Sequence, residues 1–184
     1  MSSKSGCVVW FTGLSGAGKT TTARELLQQL RAVGIKSELL DGDELRTGIC
    51  KGLGFSYEER IENIRRIVYV SELLARNGVI TIVSAITPYQ EMRDYARSVI
   101  VDYAEVFVDS PLEACERRDV KGLYAKARNK EIECFTGISD PYEIPDHPEI
   151  TLYPEHGSVQ ENARLVYNWL KQASYLNSRK EEMV

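Results

Sequence analysis

Residues 7–20, CVVWFTGLSGAGKT, decide the fold of this chain. Residues 7–12 form an apolar run with strand character, and residues 13–20 match the pattern G-x-x-x-x-G-K-[ST] at every fixed position. The strand pattern comes directly before the glycine-rich turn, and a helix pattern over 19–33 comes directly after it. That context is the one in which this turn binds phosphate, so the stretch predicts an α/β protein with a phosphate-binding turn.

The composition of the turn gives each residue a chemical task. Glycines let the backbone bend so that successive N–H groups point at phosphate oxygens, and the N-terminus of the next helix adds partial positive charge. Lys19 supplies a point charge for the β- and γ-phosphates, and the Thr20 hydroxyl suits Mg²⁺. The predicted ATP-binding residues are Gly13, Ser15, Gly16, Ala17, Gly18, Lys19, Thr20 and Thr21.

The motif indicates a nucleoside triphosphate but not its fate, since GTPases, motor ATPases and small-molecule kinases share it. No N-K-x-D string for guanine recognition occurs, which argues against a GTPase. The length of 184 residues leaves no second domain for a motor ATPase to move. A small-molecule kinase is therefore favoured.

Bulk properties restrict partners and location. The net charge of −4 provides no overall positive field for nucleic acid or anionic lipid, so neither is predicted as a partner. The N-terminus lacks the pattern of a signal peptide, and no apolar run is long enough to span a bilayer, which predicts a cytoplasmic protein. The four cysteines are widely spaced, which indicates reduced thiols rather than a zinc site or a disulfide framework.

Strand and helix patterns alternate along most of the chain. This alternation predicts a single domain over residues 1–184 with a three-layer P-loop NTPase fold, in which helices flank a parallel five-stranded sheet. The predicted strands are 7–12, 37–40, 79–84, 105–108 and 149–152, and the predicted helices are 19–33, one from Tyr57 to about Arg76, one from Pro111, and 159–176.

The alternation breaks down between Arg117 and Pro148. A segment of this length without a regular pattern is either a functional lid or a disordered loop. FTGISDPYEIP within it contains aromatic and turn residues that a solvated linker would not need, which favours a lid over about 117–148. Lys121, Lys126 and Arg128 would bring cations over the phosphates when this lid closes.

Acidic residues follow the second predicted strand. Asp41-Gly42-Asp43 should lie beside the phosphate-binding turn, because ligands of such sheets bind at the carboxyl ends of the strands. One carboxylate can order a magnesium-bound water, and another can accept a proton from an attacking hydroxyl. The alternative for Asp43 is a simple acidic strand-to-helix turn in which one of the two aspartates is the helix N-cap.

Donors of hydrogen bonds cluster after these acids, at Arg46, Arg60, Asn63, Arg65 and Arg66. Arg60 and Asn63 are three residues apart on a predicted helix and so share a face, where both can address one anion. Guanidinium groups suit phosphate and sulfate oxygens. For Arg65 and Arg66 a solvated face paired with neighbouring glutamates stays an equal alternative.

Two aromatic residues, Phe55 and Phe135, stand outside any apolar period and are flanked by glycine or small polar residues. Such aromatics can stack on a base, and a role in the core is the alternative for each.

Taken together, these segments resemble the adenylylsulfate kinase family along nearly the whole chain. GLSGAGKTT, DGDELR, GFS followed by ER-x-EN-x-RR, AITP, EVFVD, KGLY-x-KAR and FTGI occur in the family's order. The resemblance implies a fold like the nucleoside monophosphate kinases, with a mobile lid, and a homodimer. It also implies a role in sulfate assimilation, in which ATP phosphorylates the 3′-hydroxyl of adenosine 5′-phosphosulfate (APS) to give 3′-phosphoadenosine 5′-phosphosulfate and ADP.

The resemblance also assigns residues. It makes Lys19 and Asp43 catalytic, with Asp43 as the base for the 3′-hydroxyl, and it leaves Thr20 and Asp41 as the expected Mg²⁺ residues. Arg46, Arg60 and Asn63 would contact the phosphosulfate group, Phe55 and Phe135 would sandwich the adenine, and Ile86, Thr87, Lys121 and Cys134 would complete the pocket. The chain departs from the family pattern at Glu44, Ala85 and Ala125. Another P-loop kinase, acting on a nucleotide or sugar acid, and a non-catalytic nucleotide-binding module are the alternatives.

Overall fold

The computed structural model describes residues 6–176, and its centre is a five-stranded parallel sheet. The strands are β1 (Val8–Thr12), β2 (Ser37–Asp41), β3 (Ile80–Ser84), β4 (Tyr103–Val108) and β5 (Ile150–Leu152), in the spatial order β2-β3-β1-β4-β5. Each predicted strand overlaps one of these, so the predicted sheet is confirmed. The prediction of a single domain over 1–184 stays a prediction, since residues 1–5 and 177–184 lie outside the described part.

Helices cover both faces of the sheet. They are α1 (Lys19–Ala32), α2 (Gly42–Leu45), α3 (Tyr57–Ala75), α4 (Gln90–Val99), α5 (Leu112–Arg118), α6 (Leu123–Arg128) and α7 (Val159–Gln172). The predicted helices correspond to α1, α3, α5 and α7. Helix α4 was not predicted, although its apolar residues recur at the i, i+3, i+4, i+7 spacing of an amphipathic helix, at Met92, Tyr95, Ala96 and Val99.

The central strand β1 explains the three layers. All of its side chains are buried and they alternate between two cores, with Val9 and Phe11 on one side and Val8 and Trp10 on the other. Residues of α1 and α7 complete the first core, and residues of α3 and α4 complete the second. The turn after β1 therefore emerges at the middle of the sheet's carboxyl edge, between β3 and β4, where such folds bind ligands.

The predicted lid over 117–148 contains more regular structure than the sequence indicated. It includes the end of α5 and the whole of α6, which corrects the expectation of an irregular segment. Its second half, residues 134–144 (the strap), is tied to the body of the protein. Tyr142 Oη lies 2.9 Å from Thr12 Oγ1, and Tyr89 Oη donates to Asp140 Oδ2 at 2.9 Å. Any mobile lid is therefore confined to the part before the strap.

Among the helices within residues 6–176, none has the length and apolar character needed to cross a membrane.

Candidate active site

A cleft of ≈ 720 Å³ opens at the carboxyl edge of the sheet. The phosphate-binding turn, α2, the loop before α3, the end of β3 and the lid form its walls. The residues that the sequence analysis assigned to ATP, Mg²⁺ or APS all line this cleft except Gly13 and Asp41: Ser15, Gly16, Ala17, Gly18, Lys19, Thr20, Thr21, Asp43, Arg46, Phe55, Arg60, Asn63, Ile86, Thr87, Lys121, Cys134 and Phe135. The fold thus brings together residues that are up to 120 positions apart, as the span from Ser15 to Phe135 shows.

The turn before α1 has the backbone that an anion cradle needs. Gly13, Gly16 and Gly18 all have positive φ angles, of 144°, 73° and 102°. A Cβ at Gly13 would lie 2.6 Å from the carbonyl oxygen of Val108, so only glycine fits against β4 there. No side chain caps the N-terminus of α1, which leaves its first N–H groups for a ligand.

Lys19 folds back over this turn. Its Nζ donates hydrogen bonds to Gly13 O at 2.9 Å and Leu14 O at 2.7 Å. Burial lowers the pKa of Lys19 to about 8, because the ammonium is taken out of water without a carboxylate in direct contact. Phosphate oxygens beside the turn would offer this cation the negative charge that it lacks.

Three oxygen-bearing side chains meet next to the turn. Thr20 Oγ1 donates to Asp41 Oδ2 at 2.7 Å and lies 2.9 Å from Ser84 Oγ. Ser84 was not predicted, although it pairs with Asp41 in the sheet register and ends its strand at the same edge. Hard oxygen donors of this kind suit Mg²⁺, which binds through one or two protein oxygens together with phosphates and water.

Asp41, rather than Asp43, caps α2. Asp41 Oδ1 accepts hydrogen bonds from the N–H groups of Asp43 at 3.0 Å and Glu44 at 3.4 Å. A strand-to-helix turn capped by one aspartate is therefore present, and Asp41 is the capping residue. The Asp43 side chain is 72% exposed, and its carboxylate forms an ion pair with Lys121 from the lid. This carboxylate stands at the open side of the cleft, where an acceptor can reach it.

Arg46 and Asn63 present hydrogen-bonding groups on the same wall. Arg46 Nη1 donates to the carbonyls of Leu53 and Gly54, both at 3.0 Å, and its guanidinium lies 4.3 Å from the centroid of the Phe55 ring. Burial, followed by the nearby charge of Arg60, lowers the pKa of Arg46. Asn63 is buried, and its Oδ1 has no hydrogen-bond partner in the protein. A buried acceptor of this kind calls for a donor from a ligand or water.

Arg60 is engaged by the protein itself. It is buried, and it donates from Nε to Phe55 O at 2.9 Å, from Nη1 to Thr136 Oγ1 at 2.8 Å and from Nη2 to Cys134 O. An ion pair with Asp140 at 3.5 Å adds to these contacts. Arg60 therefore joins α3 to the strap, and an anion in the cleft would have to compete for its donors.

The other two arginines of α3 do not line the cleft. Arg66 Nε forms an ion pair with Glu62 at 2.8 Å, and the Arg65 guanidinium lies 5.9 Å from the centroid of the Tyr95 ring. The solvated-face alternative therefore describes Arg66.

The two predicted stacking residues differ in environment. Phe55 is 55% exposed, which excludes a role in the core. Phe135 is 9% exposed and packs edge-on against Tyr124 with ring centroids 5.0 Å apart, so it belongs to the core and to the cleft wall at once.

Residues 86 and 87 form a turn after β3, and hydrogen bonds from side chains of β1 hold this turn in place. Thr12 Oγ1 donates to Ile86 O at 2.7 Å, and Trp10 Nε1 donates to Thr87 Oγ1 at 2.8 Å. Thr87 has a positive φ of 50°, which is unusual for a β-branched residue, and its side chain is buried. Its hydroxyl therefore serves the packing of the turn rather than the surface.

Sequence reasoning missed the residues on the other flank of the phosphate-binding turn. Arg118 Nη1 donates to Gly16 O at 3.2 Å, and Tyr124 Oη donates to Ser15 O at 2.8 Å. Arg118 lies at the edge of the predicted lid and carried no separate signal. Tyr124 belongs to the KGLY string, so its motif was noticed but its contact with the turn was not.

The phosphate-binding turn lies at the centre of a parallel sheet, and it carries a lysine and a hydroxyl suited to Mg²⁺. Facing the same cleft are the residues predicted to bind an acceptor, together with the lid. This combination defines a P-loop kinase. The profile of the adenylylsulphate kinase family matches residues 5–153. The adenylyl-sulfate kinase of Picosynechococcus sp. is 56% identical over 171 residues, covering 93% of this chain and 97% of that protein. That of Halothermothrix orenii is 51% identical over 177 residues, covering 96% of each. This chain belongs to the adenylylsulphate kinase family.

Solved structures agree with this assignment. The APS kinase CysC of Mycobacterium tuberculosis, determined in complex with AMPPNP and APS, superposes with a TM-score of 0.89 at 48% identity and covers 91% of this chain and 98% of its own. A shikimate kinase from Aquifex aeolicus, at 17% identity and a TM-score of 0.52, shares the fold alone.

Proposed function

We propose that this chain transfers the γ-phosphoryl group of ATP to the 3′-hydroxyl of APS, giving 3′-phosphoadenosine 5′-phosphosulfate and ADP. The observation that carries the proposal is that one cleft contains both the phosphate-binding turn and, facing it, the exposed carboxylate of Asp43. Family membership supports the choice of acceptor, since the relatives named above are adenylyl-sulfate kinases.

The donor side acts through charge and position. The N–H groups of the turn and the Lys19 ammonium stabilise the negative charge that develops on the γ-phosphoryl oxygens. Mg²⁺ would neutralise further phosphate charge, and Thr20 and Asp41, with Ser84 beside them, are the residues that would hold it. Within residues 6–176 no group of three or more His, Cys, Asp or Glu side chains could hold a metal, which fits an ion bound mainly by phosphates and water.

The acceptor side supplies the base. The 3′-hydroxyl oxygen attacks the γ-phosphorus in line with the departing ADP oxygen, and the Asp43 carboxylate takes the proton of that hydroxyl. Lys121 is released from its ion pair with Asp43 to meet an anionic group of the substrate. The proton ends on Asp43, and the phosphoryl group ends on the ribose oxygen.

Recognition of APS would use the remaining residues of the wall. The rings of Phe55 and Phe135 enclose the adenine, and Arg46 and Arg60 address the phosphosulfate oxygens. The unpaired Oδ1 of Asn63 can accept a hydrogen bond from the substrate, and the alternative amide orientation would present its N–H₂ to an anion. Backbone groups of Ile86 and Thr87, with Cys134 of the strap, complete the pocket.

Two further expectations belong with this proposal. A homodimer and a cytoplasmic location both stay predictions. A protein from Thiobacillus denitrificans is described as a hexameric APS kinase; the match covers 95% of this chain but 30% of that one, at 30% identity with a TM-score of 0.73. Sedimentation analysis of the purified chain would determine its assembly.

The test is an ADP-release assay with ATP, Mg²⁺ and a series of acceptors. APS should support turnover, whereas AMP, shikimate and gluconate should not, and the nucleotide product should carry phosphate at the 3′ position by NMR. Turnover with a sugar acid and none with APS would favour another small-molecule kinase. ATP binding without turnover on any acceptor would favour a regulatory module.

A further inference from the structure

Arg93 is a charged residue in the middle of the second core. Only 1% of its surface is exposed, and its neighbours there include Met92 and Tyr89. Burying a guanidinium costs free energy unless its donors and its charge are matched. Arg93 lines neither the phosphate-binding turn nor the acceptor wall, so the reaction described above does not use it directly.

The donors of Arg93 reach two separate parts of the acceptor side. Nη1 donates to Thr87 O at 2.8 Å, and Nη2 donates to Glu143 O at 2.7 Å. Nη2 also reaches Gln90 Oε1 at 2.7 Å, and Nε lies 3.5 Å from Glu105 Oε1, its counterion on β4. One side chain thus connects the turn after β3, the end of the strap, the start of α4 and the central sheet.

The first of these contacts stabilises a strained backbone. Thr87 has a φ of 50°, a region that costs a β-branched residue free energy and persists only when surrounding contacts hold it. Trp10 donates to the Thr87 hydroxyl, and Arg93 donates to the Thr87 carbonyl, which Thr12 Oγ1 also approaches at 3.5 Å. The peptide on which the acceptor pocket depends is therefore clamped at two atoms.

The second contact fixes the strap relative to that turn. Glu143 N donates to Pro88 O at 2.8 Å, and Arg93 binds the carbonyl of the same Glu143. The strap carries Cys134 and Phe135, which line the same cleft as Phe55. The spacing between the turn after β3 and the strap thus depends on Arg93, which binds one backbone carbonyl in each. Its guanidinium also lies 5.9 Å from the centroid of the Tyr142 ring in the strap.

We propose that Arg93 is a positioning residue for the acceptor: it sets the spacing between the Ile86-Thr87 turn and the strap through two backbone carbonyls. This inference rests on the proposed function, because it takes those walls to be the APS pocket. A lysine carries the same charge but cannot hold two divergent carbonyls in the plane of a guanidinium fork.

Arg97 provides a matched control for the charge of Arg93. Arg97 Nη2 lies 3.4 Å from Glu105 Oε2, so it pairs with the same carboxylate, but its remaining polar contacts go to Glu149. It contacts neither Thr87 nor the strap. Arg97 is 40% exposed whereas Arg93 is buried, so the comparison depends on which constant changes: a role only as a counterion for Glu105 predicts no selective loss of kcat/KM for APS at Arg93.

The experiment compares Arg93→Lys with Arg97→Lys in the full chain. Arg93→Lys should lower kcat/KM for APS by about tenfold to a hundredfold, since small misplacements of a bound reactant have costs of that order, while the KM for ATP stays within about twofold. Arg97→Lys should leave both constants near those of the parent. Gln90→Ala, which removes one guanidinium partner without burying an unpaired charge, should move kcat/KM for APS in the same direction by a smaller factor.

A second readout is independent of activity. In a Trp169→Phe background, fluorescence reports on Trp10, whose Nε1 binds Thr87. Arg93→Lys should shift the emission of Trp10, and Arg97→Lys should not.

Equal losses of kcat/KM in the two lysine variants, or an equal rise of both KM values in Arg93→Lys, would overturn the positioning role. If Arg93→Lys does not fold, an unchanged kcat/KM in Gln90→Ala overturns it. If the parent chain does not phosphorylate APS, the proposed function fails, and the Trp10 comparison still tests the link between Arg93 and Thr87.

Discussion

The ammonium group of Lys121 forms an ion pair with the carboxylate of Asp43, which joins the lid to the start of α2 across the mouth of the cleft. Both side chains are more than half exposed, at 51% and 72%. Exposed ion pairs stabilise proteins by only about 0–1 kcal/mol, so a substrate anion can displace this one at little cost. Binding of a substrate anion by Lys121 would therefore free the carboxylate of Asp43.

Replacing Lys121 by methionine should weaken binding of APS. The variant loses a cation for the substrate but keeps the proposed base, so the KM for APS should rise by about tenfold while the melting temperature stays unchanged. Steady-state kinetics and thermal unfolding check this. Lys126→Met, at a lid cation that does not line the cleft, is the control and should behave like the parent. An unchanged KM for APS in Lys121→Met would contradict the assigned role.

Replacing Asp43 by asparagine should slow the chemical step. General base catalysis contributes about 10²–10⁴ in rate, so kcat should fall by that order while ATP binding is retained. Glu44→Gln removes a charge from the same short helix without touching the cleft, and it should keep most of the activity. Rapid-quench measurement of a single turnover separates chemistry from product release. Similar kcat values for the two variants would exclude Asp43 as the base.

The lowered pKa of Lys19 predicts that nucleotide binding takes up a proton in mildly alkaline solution. Phosphate beside Lys19 favours its charged form, so ATP raises the pKa from about 8. At about pH 8.5 the amine is largely neutral before binding and charged after it, whereas at about pH 6.5 it is charged in both states. Calorimetry in two buffers of different ionisation enthalpy should detect the uptake only at the higher pH.

Lys19→Arg is the control for this proton uptake, because arginine stays charged throughout that range. Equal uptake by this variant would assign the proton to another group.

Phe55→Ala and Phe135→Ala should differ in their effect on stability. Phe55 is exposed, so its loss should leave the free energy of unfolding nearly unchanged and raise the KM for APS by an amount equivalent to about 1–3 kcal/mol of stacking. Phe135 is packed in the core, and its truncation should cost about 3–5 kcal/mol of stability. Urea denaturation and kinetics on both variants check this. A destabilised Phe55→Ala with normal KM would contradict the assignment.

Asp41→Asn should separate metal binding from helix capping. Asparagine caps a helix about as well as aspartate, so the hydrogen bonds to the N–H groups of α2 can persist while the charge is lost. The Mg²⁺ concentration for half-maximal activity should rise about tenfold or more, and removal of Mg²⁺ by chelation should abolish turnover in both proteins. Activity that is insensitive to chelation would exclude the proposed Mg²⁺ role. An Asp41→Asn variant with the Mg²⁺ requirement of the parent would show that Asp41 only caps the helix.

The sheet and the phosphate-binding turn could be predicted because their signals are local. β1 and the turn occupy consecutive residues, and glycines mark where the backbone must bend. Ser84 was also within reach, because strands that end at one edge bring their last residues together.

Contacts that join distant parts of the chain left no such signal. The partners of Arg60 in the strap are more than 70 residues away, so its predicted role as a free anion binder could not be weighed against its bonds to Cys134 and Thr136. The apolar spacing of α4 was visible in the sequence, but nothing in that spacing showed that the charged side chain of Arg93 is buried.

β1 carries the phosphate-binding turn at its end, and its own side chains Trp10 and Thr12 hold the turn after β3. The proposed sites for ATP and for the acceptor are thus both attached to β1, the central strand of the sheet. The distance that the phosphoryl group would cross is therefore set by the folded sheet. The lid would control entry of the substrates without changing that distance. Mutations that loosen the lid should therefore change how often the reactants meet far more than how fast they react once enclosed.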